Sequence, residues 1–87
     1  MEIRTLPLNT LRAFEASARH LNFTRAGDEL CVTQAAVSQQ VKLLESHVGK
    51  PLFRRTTRGL VLSDEGAVLA PVVAEALERM SAALAAV

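Results

Sequence analysis

Five side chains within one short stretch carry most of the chemistry this sequence offers: Gln34, Ala35, Ser38, Gln39 and Lys42. At about 100° per residue on an α-helix they share one surface, about 120° round from a second set, Val37, Val41, Leu44 and Val48. The amides of Gln34 and Gln39 can make paired hydrogen bonds with an adenine edge, and Ser38 can donate or accept. Ala35 can touch a thymine methyl, and Lys42 can reach guanine or phosphate. Small residues at Ala35 and Ala36 let the helix backbone approach such edges closely. A merely polar surface is the competing reading, but an ordinary solvated helix face carries Glu and Lys.

Other elements must hold that face in place. Phe23 to Val48 reads as a short helix, a tight turn and a longer helix, the layout of a helix-turn-helix. Thr24 can cap the short helix, which presents Ala26 and Leu30 inward. Gly27 within it costs roughly 1 kcal/mol relative to Ala, so this helix depends on tertiary packing. Cys31 and Val32 close the turn, with Cys31 expected as a small core hydrophobe. Thr33 caps the recognition helix, Gln34 to Val48, and Gly49 and Pro51 end it. Upstream, Asn9 is the expected cap of a helix from about Leu8 to His20, with Leu11, Phe14, Ala18 and Leu21 at helical spacing.

Downstream the period changes to that of strands. Leu52 to Arg55 and Leu60 to Leu62 are short β-type runs joined by Thr56-Thr57-Arg58-Gly59. A two-stranded hairpin is marginal alone, so it must pack on the helices, forming a wing over residues 52–62. Ser63 then caps a helix reaching Val87, about 25 residues or about 37 Å long, with a bend expected near Ala67 to Pro71. Leu69, Val73, Leu77, Met80, Leu84 and Val87 form its apolar stripe. No segment remains to cover the stripe, which predicts a partner helix. The expected fold is mainly α: a winged helix-turn-helix over residues 1–62, three helices plus a two-stranded wing, and a long linker helix over residues 63–87.

The net charge of +1 hides a polarised chain. Residues 1–62 carry nine basic and five acidic groups, net +4, and residues 63–87 carry one and four, net −3. The wing bears Arg54, Arg55 and Arg58 just after Lys50, and no acidic residue falls between positions 46 and 63. Such a wing suits phosphate contact or an Arg in a minor groove. Arg54 and Arg58 are the stronger candidates, Arg54 because an inward Phe53 leaves it facing out, Arg58 because it sits at the tip. Thr24 and Thr33 are caps that can also meet phosphate.

Catalysis and metal binding find no support. His20 and His47 match no metal spacing, the pairs Asp28-Glu29 and Asp64-Glu65 diverge on a helix, and no nucleophile stands with a base. No cofactor is expected. The lone Cys31 suits a reducing cytosol. The stretch MEIRTLPLNTLR lacks the apolar run of a signal peptide, and the run Gly66 to Ala74 is too short to span a membrane. A cytoplasmic protein without membrane association is expected.

The run PLNTLRAFEASARHLNFTRAGDELCVTQAAVSQQVKLLE, followed by PLFRRTTRGLVLSDEG, closely resembles the amino-terminal winged helix-turn-helix of LysR-type transcriptional regulators. Within that family it is most similar to the subgroup of the glycine-cleavage activator and the chromosomal β-lactamase regulator. The resemblance implies homodimers joined through the linker helix, with each recognition helix in a major groove of double-stranded DNA bearing an interrupted inverted repeat. Gln34, Ala35, Ser38 and Gln39 would face bases, and Thr33, Lys42 and the wing arginines backbone or minor groove. It also implies a carboxy-terminal domain for a small-molecule effector, lying outside this sequence. Gly27 departs from the usual Ala of the family. The competing function is a protein-interaction module working through the apolar face of residues 63–87.

Overall fold

The computed structural model describes residues 2–87. A 3-10 turn, Ile3–Thr5, leads into α1 (Leu8–His20), α2 (Phe23–Leu30), α3 (Gln34–Val48), strands β1 (Phe53–Thr56) and β2 (Gly59–Leu62), and α4 (Asp64–Ala86). The strands form one antiparallel pair with Phe53 opposite Leu62 and Thr56 opposite Gly59, so the hairpin extends one residue further toward its tip than the apolar pattern suggests. Thr56 Oγ1 closes the tip, donating to the Gly59 carbonyl at 3.0 Å and accepting from the Arg58 amide at 3.2 Å.

The caps explain where the helices begin. Thr33 Oγ1 accepts from the Ala36 amide at 3.1 Å and starts α3, which ends at Gly49 in the left-handed conformation. Two expected caps belong to other residues. Asn22, not Thr24, caps α2, its Oδ1 accepting from the Arg25 amide at 2.9 Å. Leu21 takes a left-handed conformation that ends α1 and delivers Asn22, extended, to the cap position. Pro7, not Asn9, precedes α1; Thr10 Oγ1 donates back to its carbonyl at 2.8 Å, while Asn9 lies inside the helix and bonds Arg12.

The core joins all four helices and the wing. Phe14, Val37, Val41, Leu44 and Leu52 are fully buried beside Ala13, Ala16, Ala26, Phe53 and Val73. The chain's three phenylalanines are strung together across it. Phe14 of α1 meets Phe53 of β1 edge-on with centroids 5.6 Å apart, and Phe53 meets Phe23 of α2 edge-on at 5.5 Å. Two residues expected inside lie outside. Cys31 is exposed because it is the left-handed C-cap of α2, beyond that helix's last packed turn. Val48 is 37% exposed in the last turn of α3; Leu52, brought back after Pro51, takes the core position instead.

α4 corrects a larger expectation. It is one unbroken helix carrying Pro71 within it, and it packs on α1. Val73 belongs to the core, and Leu69 and Leu77 pack against it, so their own chain covers this part of the stripe. Periodicity identified the apolar positions but could not show that α1 reaches them. Exposed instead are Val68 (74%) and Val72, together with Met80, Leu84 (75%) and Val87 toward the far end.

The root of α4 is locked to the wing. Buried Ser63 donates through its amide to the Leu52 carbonyl at 3.0 Å and through Oγ to the Pro51 carbonyl at 2.7 Å. The same Oγ accepts from the Gly66 amide at 3.0 Å. A Cβ at Gly66 would collide with the Leu52 carbonyl oxygen. Gly27 has a similar reason to be small, since a Cβ there would lie 2.7 Å from the Val32 carbonyl oxygen of the turn. Gly66→Ala should therefore destabilise the fold by about 1–3 kcal/mol, in spite of the better helix propensity of Ala. Urea unfolding measures this, and an unchanged midpoint would contradict the clamp.

Candidate nucleic-acid interface

Helix α3 presents Gln34, Ala35, Gln39 and Lys42 to solvent, with Ser38 half-buried between them and Val37, Val41 and Leu44 turned inward. Its amino-terminal end, with exposed Thr33, faces the wing across an open cleft of about 510 Å³. Gln34, Thr24, Arg55 and Arg58 line that cleft with Asn22, Phe23 and Leu60. A second recess brings Ser38 and Lys42 together with Arg54 and Arg55. The two elements singled out separately in the sequence thus form one surface. Ala35 and Gln39 lie on its α3 side, outside both recesses.

Charge is distributed in keeping with that surface. Among the described residues, Arg25, Lys42, Lys50, Arg54, Arg55 and Arg58 have no carboxylate within ion-pair distance. Glu45, the only acid of α3, accepts a hydrogen bond from the Leu52 amide at 2.7 Å and so serves the wing's root. Elsewhere Arg4 and Arg19 are paired with carboxylates, while Arg12 and Arg79 also have none within ion-pair distance among the described residues. Arg19 binds Glu15 at 2.8 Å and Glu29 at 2.6 Å, and His20 Nε2 lies 2.8 Å from Glu29, tying the end of α1 to α2. Hydrogen bonds from Arg19 and then His20 pull the Glu29 carboxyl down from 4.5 to about 2. Hydrogen bonds to Glu15 and then Glu29 hold the Arg19 guanidinium above its ordinary range.

Two residues of the cleft were not legible as interface residues. From the sequence alone Asn22 has no role and Phe23 only starts a helix, and it is their place opposite the wing that brings them into the cleft. Among the described residues no three His, Cys, Asp or Glu side chains gather as a metal site, and no helix is long and apolar enough to cross a membrane.

The model of the bacterial regulatory helix-turn-helix proteins of the lysR family matches residues 8–67. The chain belongs to the lysR family. The LysR-family domain is 62% identical to the HTH-type transcriptional activator AmpR of Pseudomonas aeruginosa over 79 residues, which is 91% of this chain and 27% of that protein. It is 61% identical to the glycine cleavage system transcriptional activator of Escherichia coli K12 over 66 residues, 76% of this chain and 22% of that protein. The chain thus spans about a quarter of the length of the curated relatives it matches. The fold matches the BenM DBD in its complex with benA site 1 DNA at a TM-score of 0.80 and 29% identity, covering 98% of this chain and 90% of that one.

The cluster behind the LysR-family domain's interface has a pH signature. Because the folded carboxyl of Glu29 is depressed, its contribution to stability is complete above pH 4.5 and is lost as the pH falls toward about 2. Glu29 is substantially exposed, so solvent and salt screen the contribution. Glu29→Gln should flatten the decline of unfolding stability in that window at low salt, with the difference from the unsubstituted chain shrinking as salt is added. Parallel pH curves for the two chains would contradict it.

Proposed function

We propose that this chain is the DNA-binding domain of a cytoplasmic transcription regulator, reading double-stranded DNA as a homodimer on an interrupted inverted repeat. The observation that carries the reading is the exposed Gln34, Ala35 and Gln39 face of α3 flanked by lysines and wing arginines that have no carboxylate partners. In this reading α3 enters a major groove, where Gln34, Ala35, Ser38 and Gln39 meet base edges. Thr24, Thr33, Lys42 and the wing arginines take backbone phosphates or the adjacent minor groove. Residues 1–62 carry recognition and residues 63–87 carry assembly, with the start of α4 serving both because it is part of the core.

Support for the dimer comes from the exposed apolar residues of α4. Met80, Leu84 and Val87 remain candidates from the original stripe, and Val68 and Val72 join them in place of the covered Leu69, Val73 and Leu77. A dimer sets the spacing of two half-sites and gives the short reading surface of one protomer a second copy.

Gln34→Ala should cost about 1–3 kcal/mol on a specific site and relax the preference at one base pair, whereas Arg54→Ala should weaken binding to all sequences and lower the salt slope by about 1. Fluorescence anisotropy on specific and random duplexes separates the two, and an unchanged affinity ratio in Gln34→Ala would remove Gln34 from direct readout. Met80→Asp combined with Leu84→Asp should give monomers by sedimentation and lose tight binding. A persistent dimer would move the assembly surface elsewhere.

A further inference from the structure

Among the wing arginines, Arg55 has a fixed place. Its guanidinium carbon lies 5.7 Å from the centroid of the Phe23 ring, within the range at which a cation is attracted to an aromatic face. Phe23 is itself held, edge-on to Phe53 at 80° between ring planes and at the first position of α2. Strand alternation puts Arg55 on the same side of β1 as buried Phe53, so its side chain leaves the strand toward the helices, while Arg54 leaves on the other face. Attraction to the ring acts on the charge and consumes none of the five N–H donors. Among the described residues no carboxylate pairs with Arg55. Its donors stand at the cleft shared with Thr24, Gln34 and Arg58.

We propose that Phe23 is a positioning residue of the interface: its ring holds the Arg55 guanidinium between α2 and the wing, ready for a backbone phosphate while α3 occupies the groove. The inference rests on the DNA-binding reading. An arginine free to swing loses rotamer freedom when a phosphate captures it, and one already restrained loses less. Phe23 therefore contributes to affinity without touching DNA, and it does so through Arg55.

The test is a double-mutant cycle on the whole chain with a random-sequence duplex at low salt. Phe23→Leu should weaken binding by about two- to fivefold, the range of an exposed cation–ring contact, and should cause no further loss in an Arg55→Ala background. Phe23→Tyr, which keeps a ring, should restore most of the affinity. Equal losses in both backgrounds, or no loss in either, would overturn the inference while leaving duplex binding intact. Failure of the unsubstituted chain to bind any duplex would overturn the DNA-binding reading and this inference with it. If Phe23→Leu does not fold, proton shifts of the Arg55 side chain in the unsubstituted chain decide: they should be displaced upfield by the ring, free and bound, and unshifted values would overturn the proposal.

Discussion

The edge-on contact of Phe53 with Phe14 on one side and Phe23 on the other is the interaction on which the rest of this domain depends. A two-stranded hairpin has too little apolar surface to stand alone. Here one strand residue carries it into the core between α1 and α2, with Leu60 and Leu62 packing in support. Edge-to-face pairs contribute roughly 0.5–1.5 kcal/mol each beyond their burial. Their more specific effect is geometric, because they fix which side of the hairpin faces α2 and α3. With only three aromatic residues in the chain, all three are committed to this junction.

A second constraint acts at the other end of the wing. Ser63 joins the Pro51 and Leu52 carbonyls to the start of α4, and Gly66 allows the helix to come that close. The hairpin is therefore held at its inner face by aromatic packing and at its root by hydrogen bonds. The assembly surface proposed on α4 is then mechanically continuous with the proposed reading surface. Electrostatics adds to this: Glu15 and Glu29 hold Arg19 behind the domain, whereas among the described residues the cations of α3 and the wing have no carboxylate within ion-pair distance. That separation matters more than the small net charge of the whole chain.

Much of this was legible in the sequence where the governing physics is local. Thr33, Gly49 and Ser63 act at their own helix ends, and the apolar spacing of Val37, Val41 and Leu44 fixes the exposed face of α3 by geometry alone. Legibility failed where the outcome depends on distant segments. The choice of Asn22 over Thr24 as cap follows from the left-handed Leu21 before it, and the exposure of Cys31 from a backbone conformation that composition does not announce. The apolar stripe of α4 was read correctly as apolar, yet which part is covered depends on where α1 lies. Alternation along β1 favoured Arg54 as the outward group, but the neighbouring Phe23 gives Arg55 the more defined position, a contact between residues far apart in the chain.

Selection of bound duplexes from a randomised pool would test most directly whether α3, the wing and α4 act as one reader. The proposed function predicts enrichment of two short half-sites in inverted orientation at a constant separation. A recovered pool with no common sequence, or with a single half-site and no fixed spacing, would contradict it.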